Sequence, residues 1–263
     1  MKLDIYIVDA FTDTQFKGNS AAVVPVEEWL AEEVMQSIAI ENNLSETAFI
    51  KPVAPNHYQI RWFSPLTEVD FCGHATLATS YVLFEVIGLK GTIQYSTEHV
   101  GDLFVKQGMD RKIEMSFPVR PPLPVSHVPQ DLLDGLSIEP VKVLKSPQAY
   151  FAVLQNHQQV LEVQYDSEKL KLLAPFDVVV TAKSDEYDFI SRYFWPANGG
   201  DEDPVTGSIH AGLAPYWSEQ LGKESLVAFQ ASQRGGKLYC EIAEDRVLVS
   251  GHAVLYLQGS IEI

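Results

Sequence analysis

The chain is short of thiols, of basic charge and of long apolar runs. It has two cysteines, Cys72 and Cys240. Thiols this far apart build neither a disulfide framework nor a zinc-type cluster, so no metal is expected. Lys and Arg number 19 against 35 Asp and Glu, a formal charge of −16. Such a surface repels phosphate backbones and anionic lipid, which argues against nucleic acid or membrane as partner. A small anionic substrate remains compatible, because donors inside a pocket outweigh a screened global charge. No stretch approaches the roughly 20 apolar residues that cross a bilayer. The apolar run after Met1-Lys2-Leu3-Asp4 is too short for a signal peptide, and a reducing, cytoplasmic location is expected. GxGxxG, P-loop and nucleophile-elbow patterns are all missing.

What is there reads as an ordinary globular chain of two lobes: 263 residues, 46% hydrophobic and 21% charged. Pro118, Pro121, Pro122, Pro124 and Pro129 crowd one stretch near the middle. Proline fixes φ and lacks a donor, so this stretch reads as an extended connection. The expected division is an N-terminal lobe over 1–118, a connection over 119–129 and a C-terminal lobe over 130–263. The last strand is a candidate to pack back on the first lobe.

In the first lobe, strands are predicted at Leu3–Val8, Glu46–Lys51 and Tyr58–Phe63. A turn is expected at Phe16–Ser20, before the short apolar run Ala21–Val24. A helix is predicted from about Glu27 to Ile40, where Leu30, Val34 and Ile38 recur four apart behind a run of glutamates. A second helix, from about His74 to Val86, is apolar nearly all round and therefore buried. Strands return near Thr92–Tyr95, Leu103–Gln107 and Ile113–Phe117. In the second lobe, strands are predicted at Ala149–Leu154, Val178–Thr181, Leu226–Gln230, Lys237–Ile242 and Val247–Tyr256. Arg234-Gly235-Gly236 reads as a hairpin turn. A buried helix is expected from Ser208 to Gln220, bent by Pro215.

The halves repeat a pattern. Phe63-Ser64-Pro65, acidic residues and Gly73-His74-Ala75-Thr76-Leu77-Ala78 in the first answer to Phe194-Trp195-Pro196, acidic residues and Gly207-Ser208-Ile209-His210 in the second. This reads as a duplication, with a pseudo-twofold axis bringing two loop–helix junctions to one cleft. Helix starts present unpaired N–H groups, and glycine admits a ligand to the backbone, so two such ends suit a carboxylate. Each junction also reads as an ordinary cap, with Ser208 satisfying backbone donors.

Several side chains could move protons. Glu46 opens an apolar strand, which favours a raised pKa and a shuttle, or it is a solvated strand end. His74 follows Gly73 at a helix start, where the dipole favours a neutral imidazole, or it is a packing residue. Asp203 precedes Pro204 and is readable as a turn residue, a helix-entry cap or an acid. Cys72, beside a helix start, is expected to have a lowered pKa and to be a competent base. In the repeat its counterpart is Thr206, and Cys240 lies in a strand, so a two-thiol racemase lacks its second base.

Taken together, these stretches resemble the phenazine-biosynthesis PhzF-like proteins. The resemblance rests on Val8-Asp9-Ala10-Phe11, Phe16-Lys17-Gly18-Asn19-Ser20, Asn43-Leu44-Ser45-Glu46-Thr47, Arg61-Trp62-Phe63-Ser64-Pro65 and Cys72-Gly73-His74-Ala75-Thr76. It continues through Glu202-Asp203-Pro204-Val205-Thr206-Gly207-Ser208 and Gln233-Arg234-Gly235-Gly236. It implies an α/β (α+β), diaminopimelate-epimerase-like fold: two lobes, each a mixed barrel-like sheet around a central helix. It also implies an isomerase without cofactors, usually a homodimer, acting on a small carboxylate such as a dihydro-hydroxyanthranilate. The same resemblance implies that Glu46 moves the proton, assisted by His74 and Asp203. Gly73, Gly207, Ser208, Ser45 and Asn19 are the implied substrate-binding positions. The alternatives are a Cys72-dependent epimerase or racemase, and a non-catalytic binding protein on the same scaffold.

Overall fold

β-Branched and aromatic residues recur through the paired segments, where a pleated, half-buried surface favours them. A computed structural model describes residues 1–263. In chain order the first elements are β1 (Lys2–Ala10), β2 (Asn19–Pro25), α1 (Glu32–Asn42), β3 (Glu46–Ala54), β4 (His57–Phe63), β5 (Glu68–Val69) and α2 (Gly73–Tyr81). A π-helical turn, Val82–Val86, continues α2, before β6 (Ile93–Ser96), β7 (Asp102–Gln107) and β8 (Ile113–Pro118). Then come β9 (Leu123–Pro124), α3 (Gln130–Asp134), β10 (Lys142–Lys145), β11 (Ala149–Val153), α4 (His157–Glu162), α5 (Ser167–Leu170) and β12 (Asp177–Lys183). The chain ends with β13 (Phe189–Phe194), β14 (Glu202–Asp203), α6 (His210–Leu221), β15 (Ser225–Gln230), β16 (Gly236–Ala243), β17 (Arg246–Gly251) and β18 (Ala253–Glu262). No helix is long and apolar enough to cross a membrane.

Two units divide the chain: Met1–Ser116 with Ser250–Ile263, and Phe117–Val249. The first unit has the strand order β18-β1-β2-β3-β4-β6-β7-β8, with β2–β3 and β4–β6 parallel and the other pairs antiparallel. Every residue of α2 from Gly73 to Ser80 is buried, because the helix packs against β1, β2, β3 and β18. A helix apolar all round needs such enclosure. On the other side, α1 covers a core of Ala22, Val24, Phe49 and Phe63 with Met35 and Ile38.

The second unit repeats the pairing scheme. β9-β10-β11-β12-β13-β15-β16 has β11–β12 and β13–β15 parallel, and the other pairs antiparallel. The register matches residue by residue. Ala21 faces Glu46 as Ala149 faces Asp177, and Thr47 faces Phe63 as Val178 faces Phe194. The short strands also agree: Phe63 pairs with Glu68, and Phe194 with Glu202. The arginine two residues before each phenylalanine grips that glutamate. Arg61 Nε lies 2.6 Å from Glu68 Oε1, and Arg192 Nε 2.7 Å from Glu202 Oε1. The fold is therefore a duplicated mixed α+β architecture.

Pro215 lies inside α6, where it removes the N–H that would bond Ala211 O. The backbone N–H of Arg120 takes that acceptor at 2.9 Å. The proline-rich stretch is thus strapped to the helix that its own chemistry would otherwise leave unsatisfied.

Several predicted boundaries are corrected. α1 begins at Glu32, not Glu27, because Val26 N–H still bonds Ile50 O and keeps the chain on the sheet. α6 begins at His210 with Ile209 as its cap, so Ser208 is not a capping side chain. The run Val247–Tyr256 is two strands rather than one, broken at His252, whose carbonyl accepts Thr12 N–H. Asp203 is neither turn nor helix cap; it sits in β14, paired with Tyr193.

Candidate active site

β3 begins beside β2, and α2 begins against both, so the start of β3 and the start of α2 converge within the first unit. Glu46 Oε2 lies 2.9 Å from His74 Nε2, with side chains 13% and 6% exposed. That oxygen is buried, and no well-formed hydrogen bond reaches it. The imidazole contact is what compensates it, which leaves lone pairs free to take a proton. On the opposite edge of the ring, Asn19 Nδ2 donates to His74 Nδ1 at 3.1 Å. Ser45 Oγ donates to Asn19 Oδ1 at 3.0 Å. Cys72 Sγ lies 3.5 Å from Nδ1. Glu46, His74, Gly73, Asn19 and Ser45 are therefore brought together, in the order Ser45–Asn19–His74–Glu46.

The electrostatics differ from two expectations. Burial by itself lowers the His74 pKa, but Cys72 and Glu46 outweigh it and hold the imidazole above its ordinary value. Its two neighbours, Cys72 first and then Glu46, set the ring's proton affinity against burial. Protonating Nδ1 requires the Asn19 amide to turn its oxygen inward, which the Ser45 hydroxyl can follow by accepting instead of donating. For Cys72, burial, then Glu46, pushes the thiol up to about 11. It is a protonated thiol at neutral pH and not the base anticipated from its place at a helix start. The ligand atoms of Glu46, Cys72 and His74 lie within 4.8 Å of one another, close enough for a metal ion. Glu46 and His74 already compensate each other there without one.

Asp203, Gly207 and Ser208 belong to the second unit. Asp203 accepts the Thr206 hydroxyl. Gln230, fully buried, fixes the loop between them: its Nε2 donates to Asp203 O at 2.8 Å, and its Oε1 accepts Thr206 N–H at 2.9 Å. Ser208 Oγ accepts from Gln148 Nε2 at 3.0 Å. Neither Gln230 nor Gln148 was legible in the sequence, since each acts across a long chain separation from inside a plain apolar strand or a loop.

A duplicated mixed α+β fold holding a buried carboxylate–imidazole pair defines the class. The sequence pattern of phenazine biosynthesis-like proteins, PhzC-PhzF, matches residues 8–259. An uncharacterized isomerase of Pseudomonas aeruginosa is 43% identical over the whole of both chains. A crystal structure of a PhzF-family phenazine biosynthesis protein from Enterococcus faecalis is 41% identical, covers 100% of both chains and superposes with a TM-score of 0.95. A hydroxyproline epimerase from Agrobacterium vitis shares the fold at a TM-score of 0.62, with 9% identity over 99% of this chain and 92% of its own. The chain belongs to the PhzC-PhzF family of phenazine biosynthesis-like proteins, a family of isomerases.

Proposed function

We propose that the protein moves a carbon-bound proton on a small carboxylated, cyclic or unsaturated substrate, using side chains alone. The observation that carries this is the buried Glu46 oxygen, which has His74 Nε2 at 2.9 Å and no well-formed hydrogen bond. A carboxylate so placed is held by the imidazole and keeps lone pairs that can face a substrate proton. Glu46 takes the proton from one carbon, the electron pair passes into the conjugated system, and Glu46 returns the proton to another carbon. His74, whose proton affinity its neighbours raise, stabilises the developing anion and keeps Glu46 oriented. Asp203 acts as the second acid. Gly73, Gly207 and Ser208 serve as substrate-binding positions in this reading. Asn19 and Ser45 serve through His74, by fixing its ring.

Incubating the protein in D₂O with a panel of small cyclic carboxylates, read by mass spectrometry, tests this reading. Deuterium is expected at carbon in one of them, with Glu46→Gln slowing its entry by about 10²- to 10⁴-fold, the usual worth of a general acid/base. Exchange at an undiminished rate in that variant removes Glu46 from the mechanism.

A further inference from the structure

The matching registers of the two units give Glu46 a counterpart, Asp177, at the first residue of β12. The sequence stretches that carry the family resemblance do not contain it, and the proton transfer above does not use it. Its surroundings form a chain of hydrogen bonds within the second unit, anchored where Asn198 Nδ2 also donates to Pro175 O at 3.3 Å. Asn198 Nδ2 donates to Asp177 Oδ1 at 2.7 Å. Tyr193 O–H donates to Asp177 Oδ2 at 2.6 Å. Gln148 Nε2 then donates twice, to Tyr193 Oη at 2.9 Å and to Ser208 Oγ at 3.0 Å. Tyr193 is buried, and Gln148 and Asp177 are half-buried.

The direction of every bond follows from the carboxylate. An ionised Asp177 only accepts, so Tyr193 must spend its proton on it. Tyr193 Oη is then an acceptor towards Gln148, which must turn its NH₂ inward. The second N–H of that NH₂ occupies a lone pair of Ser208 Oγ. The Ser208 proton has nowhere to go inside the chain and is left to point outward. We propose that Asp177 is a positioning residue that fixes Ser208 as a hydrogen-bond donor to the substrate carboxylate, acting through Tyr193 and Gln148. This rests on the reading of Ser208 as a substrate-holding group.

An amide at position 177 inverts the chain. Asn198 keeps the amide oxygen, so the new NH₂ faces Tyr193. The tyrosine proton must then go to Gln148, which turns its oxygen inward and draws the Ser208 proton with it. Asp177→Asn thus cancels the donor without touching Ser208, and Tyr193→Phe breaks the same link by another route.

Two measurements decide it. The first needs no ligand: a neutron structure of the deuterium-exchanged protein. It is expected to show the Tyr193 deuteron on the Asp177 side, both Gln148 amide deuterons directed at Tyr193 and Ser208, and the Ser208 deuteron facing away from Gln148. A Ser208 deuteron directed at Gln148 overturns the proposal. The second is calorimetric binding of 3-hydroxyanthranilate, a stable aromatic carboxylate. Asp177→Asn, Tyr193→Phe and Ser208→Ala are each expected to weaken it about tenfold, the scale of one hydrogen bond to a charged group. Asp177→Asn added to Ser208→Ala is expected to cost less than about twofold more, because both remove the same donor. Equal losses in both backgrounds mean that Asp177 acts on the fold generally, and overturn the proposal. Failure of the unsubstituted protein to bind the probe counts against the substrate reading, and the neutron result then decides the role of Asp177 alone.

Discussion

A carboxylate 2.9 Å from an imidazole, both nearly shut off from water, ties two ionisations together. The consequence for stability has a definite sign. The folded His74 binds its proton more tightly than the ordinary value of 6.5 that the unfolded chain approaches. The pair's contribution is therefore complete below that value and fades as pH rises through the folded pKa. In Glu46→Gln one of the two raising neighbours is gone, while Cys72 and the burial remain. NMR titration of the His74 ring is expected to give a lower pKa in that variant than in the unsubstituted protein. An unshifted titration removes Glu46 as the cause. At this scale the sequence was informative where chemistry is local: Glu46, Gly73 and His74 each sit in a short run that announces a strand or helix start. It misled at Cys72, because a helix start lowers a thiol's pKa only where the site stays polar, and here burial and the Glu46 charge win. Asp177 was invisible, since Phe176-Asp177-Val178 is an unremarkable strand entry until its register is laid beside that of Glu46.

Strands and helices were legible in proportion to how locally their partners lie. α2 and α6 announce themselves because a helix without a polar face has to be enclosed. β13 was missed: Phe189–Phe194 carries Arg192, whose charge is answered by Glu202 and by Val163 O at 2.7 Å, partners that no local pattern reveals. α1 was placed early because Glu27 and Glu28 imitate a first helical turn. The internal fit of α6 gives a test. A Cβ on Gly212 would lie 2.7 Å from Phe151 Cζ and 3.0 Å from Arg120 O, in the connection that answers Pro215. Gly212→Ala gains about 1 kcal/mol of helix propensity. Overpacking a filled core typically costs about 1–3 kcal/mol, and the backbone contact cannot move without losing the bond to Ala211, so net destabilisation is expected. Urea denaturation measures it; a more stable variant means that the strap over α6 is loose.

For the chain as a whole, the order of units matters more than their content. The first unit is interrupted: it takes residues 1–116 and then 250–263, with the second unit lying between them in sequence. Its closing strand, β18, pairs with β1 from Lys2–Glu262 to Ala10–Ala253, and Ile261 packs on the core around Leu3 and Ile5. Beside the break at His252, Gly251 packs so closely on Phe11 that a Cβ would sit 2.6 Å from its ring. The first unit therefore cannot complete its sheet until the last residues of the chain arrive. A chain ending at Gly251 leaves one side of β1 unpaired along its length, exposing donors and acceptors that the native sheet satisfies. Hydrogen exchange in that truncation is expected to speed up at least about tenfold over residues 2–10 and to spread to β2, as local opening free energy falls. The segment 177–183, whose partners β11 and β13 both lie in the second unit, is expected to keep its protection. Unchanged exchange over residues 2–10 means that β1 holds without its closing strand. Faster exchange over 177–183 as well means that the two units unfold as one, and that the interruption in sequence is not one in cooperativity.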